Sequence, residues 1–218
     1  MTRSVPTLEF ERTLVATGEA DVVIAIDEVG RGALAGPVTL GAVLVDGQTA
    51  DAPAGVRDSK QLSARQREAL APRVRSWAIA AEVVDISATR IDEIGIMRAL
   101  GEGAAQAAAL VVRVCAPRNP VVILDGRYDF LTQVDASWRV RTVVKGDVSC
   151  ASIAAASIIA KVHRDAVMRS MHADFPEYGW DRNVGYATAA HRAALRDVGV
   201  SPHHRRSWRL LEEPTLDL

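Results

Sequence analysis

The sequence predicts an α/β protein in which a mixed five-stranded sheet is flanked by helices. Two short apolar runs, Val22–Ile26 and Val38–Val45, are typical of buried strands. The second run closes at Asp46-Gly47, a turn signal. Later apolar runs alternate with helical stretches, and this alternation favours a sheet whose faces are covered by helices.

Composition supports one large soluble domain, or one domain with a small appendage. The chain has 218 residues, of which 49% are hydrophobic and 24% are charged. The net charge is −1, so a nucleic-acid partner would have to be held by a local patch. We expect no signal peptide, because Glu9, Glu11 and Arg12 interrupt the N-terminal apolar residues. We expect no membrane span, because Arg113 and Lys161 interrupt the longest apolar runs. Cys115 and Cys150 form no CxxC motif, which favours reduced thiols in the cytosol.

Capping signals and further apolar runs predict the remaining elements. A capping box of Ser63 and Gln66 predicts a helix that runs to about Trp77. Ser87 is predicted to cap the next helical stretch. The other predicted elements are a third strand at Ile79–Val84, a helix at Ala99–Val114, a fourth strand in VVILDG after Pro120, a fifth strand at Arg139–Val144, a long helix at Ala151–Met171 and a last helix from Thr188 to Arg196.

Acidic residues stand where two of these strands end. Asp27 and Glu28 follow the first strand, and Asp125 ends the fourth. Ligands of open α/β sheets gather at the carboxyl ends of neighbouring strands. If the first and fourth strands are adjacent and parallel, the three carboxylates converge.

The long helix carries a polar stripe with a further acid. Ser157, Lys161 and Asp165 are spaced four residues apart, so they share one face. Clustered carboxylates repel one another, and a hard divalent cation such as Mg²⁺ removes that repulsion. Asp147, which follows the fifth strand, is interpreted at this stage as a turn or cap residue.

Six stretches of the sequence resemble the ribonuclease HII family, the type 2 ribonucleases H. They occur in family order and reach from Asp27 to Trp208: AIDEVGRGALAGPV, RDSKQLS, VILDG, VKGDVSCASIAAASIIAKVHRD, GYATAAHRAAL and SPHHRRSW. The resemblance implies a ribonuclease H-like fold with a small C-terminal helical part. We expect an N-terminal arm or short helix at 1–20, a catalytic core at 21–172, and a C-terminal helical substrate-binding part and tail at 173–218.

The resemblance also implies an activity. Members of the ribonuclease HII family are cytoplasmic endonucleases that use Mg²⁺ or Mn²⁺, and a two-metal mechanism is expected here. They cut the RNA strand of RNA–DNA hybrids, and they cut 5′ to a single ribonucleotide embedded in duplex DNA, leaving a 3′-hydroxyl and a 5′-phosphate. The family's four metal-associated carboxylates carry over to Asp27, Glu28, Asp125 and Asp165.

Substrate contacts carry over in the same way. The Gly30-Arg31-Gly32 turn is expected to read the ribonucleotide's 2′-hydroxyl through main-chain groups, and Tyr186 is expected to read the junction with DNA. Only three of the 26 basic residues are lysines, and all three lie in these motifs. The expected phosphate contacts are Lys60, Lys145, Lys161, His204 and Arg205.

Other classes of protein remain open from the residues alone. A non-catalytic nucleic-acid binder would share the fold, but its acid set would be broken. A nucleotide-binding protein would use the glycine turn as a phosphate cradle, but the spacing matches no phosphate-loop pattern. Another ribonuclease H-like nuclease is the nearest rival. A monomer is expected, and the tail LLEEPTLDL is a candidate docking segment for a replication protein.

Overall fold

A computed structural model describes residues 5–211 of the chain, and these form five strands and eight α-helices. The strands are β1 (Val22–Val29), β2 (Val38–Asp46), β3 (Ala80–Ile86), β4 (Pro120–Asp125) and β5 (Arg139–Val143). The helices are α1 (Glu9–Ala16), α2 (Ala64–Trp77), α3 (Ala88–Ile94), α4 (Ile96–Val112), α5 (Gly146–Ser149), α6 (Ala151–Asp174), α7 (Trp180–Asn183) and α8 (Ala189–Val198).

The five strands form one mixed sheet in the order β3-β2-β1-β4-β5. The first three strands pair antiparallel, whereas β4 pairs parallel with β1, and β5 pairs parallel with β4. The predicted fold class is therefore confirmed. The carboxyl ends of β1, β4 and β5 meet at one edge of the sheet, which we call the acid edge.

Strand β1 is longer than the sequence predicted. Its pairing with β4 ends at Ile26, but its pairing with β2 continues through Asp27 and Glu28 to Val29. The two acids therefore lie within a strand rather than after it. Successive side chains of a strand point to opposite faces, so Asp27 and Glu28 must straddle the sheet.

Helices cover both faces of the sheet. On one face, Val23 and Ala25 of β1 pack in a core with the Ala- and Ile-rich first half of α6. On the other face, Ile24 and Ile26 pack in a core with α4. Residues 151–160 of α6 are all buried, and their small side chains let the helix lie close to the sheet. Asp27 is on the α6 side and Glu28 on the α4 side.

The helix caps follow the sequence signals. Ser63 and Gln66 form the predicted capping box, with the Gln66 N–H donating to Ser63 Oγ at 3.3 Å. Ser87 accepts from the Arg90 N–H at the start of α3. Gly95, at a φ of 77°, separates α3 from α4, a break that the sequence reading did not specify.

The C-terminal part forms a small third core on the sheet-distal end of α6. Buried Tyr178, Trp180 and Leu195 pack there against Leu34 and Met168. This cluster joins the segment after β1 to helices α7 and α8. The described part of the chain contains no helix long and apolar enough to cross a membrane.

Glu11 of α1 is a buried acid that joins the N-terminal segment to α6. Its side chain is 1% exposed, and its Oε1 accepts hydrogen bonds from the main-chain N–H and the hydroxyl of Ser152. No described residue hydrogen-bonds to its Oε2. Burial raises the pKa of Glu11 above its ordinary value, and the Ser152 contacts oppose that shift only in part.

Glu11→Gln is expected to make the protein's stability less dependent on pH. The folded state binds the Glu11 proton more tightly than the unfolded state does, so protonation of Glu11 stabilises the fold. This stabilisation is fully present below the ordinary Glu pKa. It is lost as pH rises through the raised pKa. Urea unfolding gives the free energy of unfolding of each protein at pH 5 and pH 8. The difference between Glu11→Gln and the wild type should shift in favour of the variant by about 1 kcal/mol from pH 5 to pH 8. Equal pH slopes for the two proteins would contradict this assignment.

Candidate active site

Four acidic side chains lie at the acid edge. Asp27 and Glu28 come from β1, and Asp125 is the last residue of β4. Asp147 lies in α5, four residues after the end of β5. The parallel pairing of β1, β4 and β5 brings these chain segments together, so residues distant in the sequence share one site.

Asp27 is the most deeply buried of the β1 acids. It is 7% exposed, and the hydroxyl of Ser157 on α6 donates a hydrogen bond to it. Ser157 in turn lies 2.7 Å from the hydroxyl of Ser59, between the oxygen atoms. Burial raises the pKa of Asp27 well above its ordinary value, and the charges of Glu28 and Asp125 raise it further.

Asp125 is held by the loop that follows β5. The Gly146 N–H donates to its Oδ1 at 2.7 Å. Burial and the charge of Asp147 raise the pKa of Asp125, whereas this hydrogen bond lowers it. Burial and Asp125 also raise the pKa of Glu28, against the lowering effect of Arg31, whose guanidinium lies 3.6 Å from Glu28 Oε1.

Asp147 is the acid that the sequence reading missed. It is 7% exposed, and its Oδ2 lies 3.2 Å from the Lys60 ammonium. The available signal was its place directly after a strand parallel to β4, since Lys145-Gly146-Asp147 must then reach the same edge. Asp147 lies in the first turn of α5, as the turn or cap interpretation expected, and its charge also raises the pKa of Asp125.

Asp165, which the sequence analysis placed among the metal ligands, is paired with cations in the structure. Its Oδ1 accepts from Lys161 at 2.6 Å, and its Oδ2 lies 3.6 Å from the Arg67 guanidinium. It follows Ser157 by eight residues, which is about 12 Å along the helix axis. Ser157 is the α6 residue that reaches Asp27, so Asp165 is paired with cations two turns away from the acid edge.

The donor chemistry of the acid edge fits a hard divalent cation. Desolvation and mutual repulsion raise the pKa values of Asp27, Glu28 and Asp125, and a bound cation would relieve both effects. Within residues 5–211, no three His, Cys, Asp or Glu side chains are close enough to enclose a metal by themselves. Mg²⁺ binds a few carboxylates and completes its shell with water and substrate phosphate, so these acids would supply only part of its coordination.

The Gly30-Arg31-Gly32 turn lies directly beside the acids. The Ala33 N–H donates to the Gly30 carbonyl at 3.2 Å, which closes the turn. Gly30 has a φ of 83°, and a Cβ there would overlap the Arg164 guanidinium. Glycine is therefore required at this position both by the backbone conformation and by the space.

His204 and Arg205 are not surface phosphate contacts. Arg205 is 0% exposed, and its guanidinium donates to the carbonyls of Gly30 and Arg31. His204 is 1% exposed and accepts at Nδ1 from the Ser201 N–H at 3.0 Å. Both side chains lie beneath the turn and the neighbouring loop, whereas the sequence analysis expected them to contact phosphate.

A buried pair of histidines, His191 and His204, holds the main chain at Tyr186 through a hydrogen bond to its carbonyl. Since His204 Nδ1 accepts a hydrogen bond, its proton is on Nε2, which lies 3.0 Å from His191 Nε2. His191 then carries its proton on Nδ1 and donates to the Tyr186 carbonyl at 2.9 Å. Burial and the neighbouring His191 lower the pKa of His204 to about 4, so the pair is neutral.

The remaining predicted contacts are distributed around the acid edge. Arg31, Lys60 and Lys145 are exposed, and Lys60 is bound to Asp147. Lys161 is partly buried and bound to Asp165, and the Tyr186 ring is partly buried against Arg164. The exposed cations can reach a bound polyanion, whereas Lys161 forms an ion pair with Asp165.

This sheet order, with acids at the ends of β1 and β4, defines a ribonuclease H-like nuclease. The family model described as Ribonuclease HII matches residues 24–211. A ribonuclease HII from Streptomyces griseus is 45% identical over 95% of this chain and 85% of its own length. The chain belongs to the ribonuclease HII family, so it is a metal-dependent endonuclease that acts on RNA in RNA–DNA hybrids.

Solved structures give the same result. The ribonuclease HII of the Archaeoglobus fulgidus PCNA:RNase HII complex is similar with a TM-score of 0.68 and 27% identity, covering 90% of this chain and 98% of that one. The Pyrococcus horikoshii ribonuclease H2 has a TM-score of 0.66 and 25% identity, covering 87% and 94%.

Asp27→Asn is expected to stabilise the metal-free protein. The substitution removes a buried negative charge that Glu28 and Asp125 repel. Because the pKa of Asp27 is raised in the folded state, the wild type loses stability as pH rises through that pKa and the Asp27 carboxyl ionises. In EDTA at pH 8, urea unfolding should show a gain of about 1 kcal/mol or more. The gain should disappear below the ordinary Asp pKa of 3.8.

The same variant provides a test of metal binding that does not depend on activity. Mg²⁺ or Mn²⁺ should raise the melting temperature of the wild type and raise that of Asp27→Asn much less. Glu68→Gln, on the exposed face of α2, is the matched control and should respond like the wild type. Equal metal-induced shifts in all three proteins would show that Asp27 is not a ligand.

Proposed function

We propose that this enzyme cuts 5′ to single ribonucleotides embedded in duplex DNA as well as the RNA strand of hybrids. The products would carry a 3′-hydroxyl and a 5′-phosphate. The observation that carries the proposal is a direct main-chain link between two segments. The Gly185 carbonyl accepts from the Leu34 N–H at 2.8 Å, which ties the segment after Gly30-Arg31-Gly32 to Tyr186.

In this proposal the acid edge performs the hydrolysis. Asp27, Glu28, Asp125 and Asp147 would hold Mg²⁺ or Mn²⁺, and Asp147 replaces Asp165 in the set expected from the sequence. The bound cations would supply Lewis-acid stabilisation of the charge that develops on the phosphate oxygens. The Gly146 N–H and the Ser157 hydroxyl orient the Asp125 and Asp27 carboxylates.

The glycine turn and Tyr186 would select the substrate. The carbonyls of Gly30 and Arg31 point to Arg205, and no described residue accepts a hydrogen bond from the Arg31 or Gly32 N–H. These N–H groups are available to a ribose hydroxyl or a phosphate oxygen. The Tyr186 ring would pack against the following deoxyribose, and its rigidity would disfavour a 2′-hydroxyl there.

Exposed cations beside the acid edge would hold the phosphate backbone. Lys60 and Lys145 are exposed, and Arg31 flanks Glu28 on the α4 side. Lys60 contacts Asp147, so it can neutralise an acid before substrate binds and contact phosphate afterwards. Arg206 is also exposed and lies next to the buried Arg205.

We further propose that the enzyme acts as a cytoplasmic monomer in ribonucleotide excision repair and primer removal. One structural neighbour was solved as a PCNA:RNase HII complex, which supports testing a sliding-clamp contact. The candidate docking tail lies mostly outside the described residues, because these end at Leu211.

The experiment that tests the proposed function uses three labelled duplexes: all-DNA, DNA with one embedded ribonucleotide, and an RNA–DNA hybrid. Cuts are mapped at nucleotide resolution with Mg²⁺ or Mn²⁺. We expect a single cut 5′ to the ribonucleotide that is abolished by EDTA and absent from all-DNA. Cleavage of the hybrid alone would overturn the roles of the glycine turn and Tyr186 while retaining the acid edge.

A matched pair of variants tests the choice between Asp147 and Asp165. At saturating Mg²⁺, Asp147→Asn should lower kcat by about 100-fold or more, because it removes an acid beside Asp125. Asp165→Asn should lower kcat by no more than about tenfold, an effect transmitted through Lys161 and Arg67. If Asp165→Asn were inactive and Asp147→Asn active, the sequence-based assignment would be restored.

A further inference from the structure

Two buried arginines beneath the acid edge have no acidic partner. Arg164 and Arg205 are each 0% exposed, and neither forms a salt bridge with a described carboxylate. A buried charge is costly unless hydrogen bonds compensate it. Burial lowers the pKa of both guanidinium groups, that of Arg205 to about 9 with the like charge of Arg164 adding to the shift.

The compensation comes from main-chain carbonyls of the segment that follows β1. Arg205 donates to the carbonyls of Gly30 at 2.7 Å, Arg31 at 2.8 Å and Gly36 at 3.1 Å. Arg164 donates to the carbonyls of Pro37 at 2.9 Å and Ala35 at 3.1 Å. Two side chains from distant parts of the sequence therefore fix the whole segment.

The same network reaches the Tyr186 loop. Arg164 Nη1 donates to the Val184 carbonyl at 2.8 Å, and its guanidinium lies 5.6 Å from the centre of the Tyr186 ring. Gly185 has a φ of 86°, and a Cβ there would collide with the Ala35 carbonyl. The segment after the glycine turn and the Tyr186 loop are thus joined both by the Leu34 N–H bond to the Gly185 carbonyl and by Arg164, which donates to carbonyls of both.

We propose that Arg164 and Arg205 are positioning residues that lock the Gly30–Gly32 turn and the Val184–Tyr186 loop into one rigid ribonucleotide-reading unit. This inference rests on the proposed function, in which the glycine turn and Tyr186 recognise the ribonucleotide. Neither side chain touches the substrate. Arg205 holds the Gly30 and Arg31 carbonyls, and Arg164 holds the Ala35, Pro37 and Val184 carbonyls. The Arg31 and Gly32 N–H groups, which donate to no described residue, are left for the substrate.

Arginine is required for this role by its shape. A planar guanidinium presents five donors in a fixed fork, whereas a lysine ammonium is a point charge that cannot span three carbonyls in this arrangement. Arg164→Lys and Arg205→Lys therefore keep the charge and remove the bridging. If only the charge mattered, both lysine variants would remain active.

The test measures kcat and KM on the single-ribonucleotide duplex and on the RNA–DNA hybrid. Both lysine variants should lose about 10- to 100-fold in kcat on the duplex, because misplacing the reading unit misaligns the scissile phosphate. KM should change less than about threefold, since the exposed cations that hold the backbone are unchanged. Arg205→Lys should affect both substrates, whereas Arg164→Lys should affect the duplex more, because it also releases Tyr186.

Two controls separate positioning from loss of stability. Arg139→Lys alters an arginine that donates to the Glu19 carbonyl at 2.8 Å, at the opposite end of β5 from the acid edge. Val74→Ala creates a cavity in the buried core under α2. Both should keep wild-type kcat at temperatures where they are folded, even where their melting temperatures match those of the lysine variants.

Gly185→Ala gives an independent answer if the lysine variants do not fold. It leaves both arginines in place but forces the two segments apart, so it should show the same selective loss of kcat on the duplex. The inference alone would be overturned if the wild type cuts the duplex and the folded variants cut it with an unchanged kcat, whether or not their KM is higher. A wild-type enzyme that does not cut the duplex would overturn the proposed function and this inference with it.

Discussion

The parallel pairing of β1 with β4 is the constraint on which the rest of the site depends. It aligns Ile26 with Leu124, so Asp27 and Asp125 emerge at the same edge although 98 positions separate them. The pairing with β2 then carries β1 past its last contact with β4. This extension keeps Asp27 and Glu28 in extended backbone and sends them to opposite faces. One register therefore determines both where the acids meet and how they are distributed around a ligand.

The strands, the caps and the family were accessible from the sequence because each depends on local chemistry. Buried strands read as apolar runs, and the Ser63 capping box is complete within four residues. Asp147 and Asp165 show where local reading stops. Both follow a lysine-containing motif, and only the three-dimensional path of β5 and α6 shows that one acid lies beside Asp125 while the other is neutralised by Lys161 and Arg67.

The burial of two basic residues near the C-terminus, His204 and Arg205, is not visible in the local sequence either. A cluster such as His203-His204-Arg205-Arg206 is typical of a solvated, phosphate-binding face. The Arg205 N–H, however, donates to the Leu34 carbonyl, which draws the segment under the glycine turn. Burial then reverses the role of Arg205, from a contact with an external anion to a donor for internal carbonyls. Sequence patterns report residue type, but not which of several adjacent cations is buried.

The arrangement of charge explains how a chain with a net charge of −1 can hold a polyanion. Carboxylates occupy the exposed edge of the sheet, where a divalent cation can offset their charge. Two guanidinium groups that lack a carboxylate partner, those of Arg164 and Arg205, lie beneath the adjacent turn and donate to main-chain carbonyls. Their charge is screened less there than in water, so their field would favour an anion at the Arg31 and Gly32 N–H groups, which donate to no described residue. Under the proposed function, attraction would therefore be local and tied to one backbone geometry, so that phosphate binding and ribose reading would depend on the same contacts.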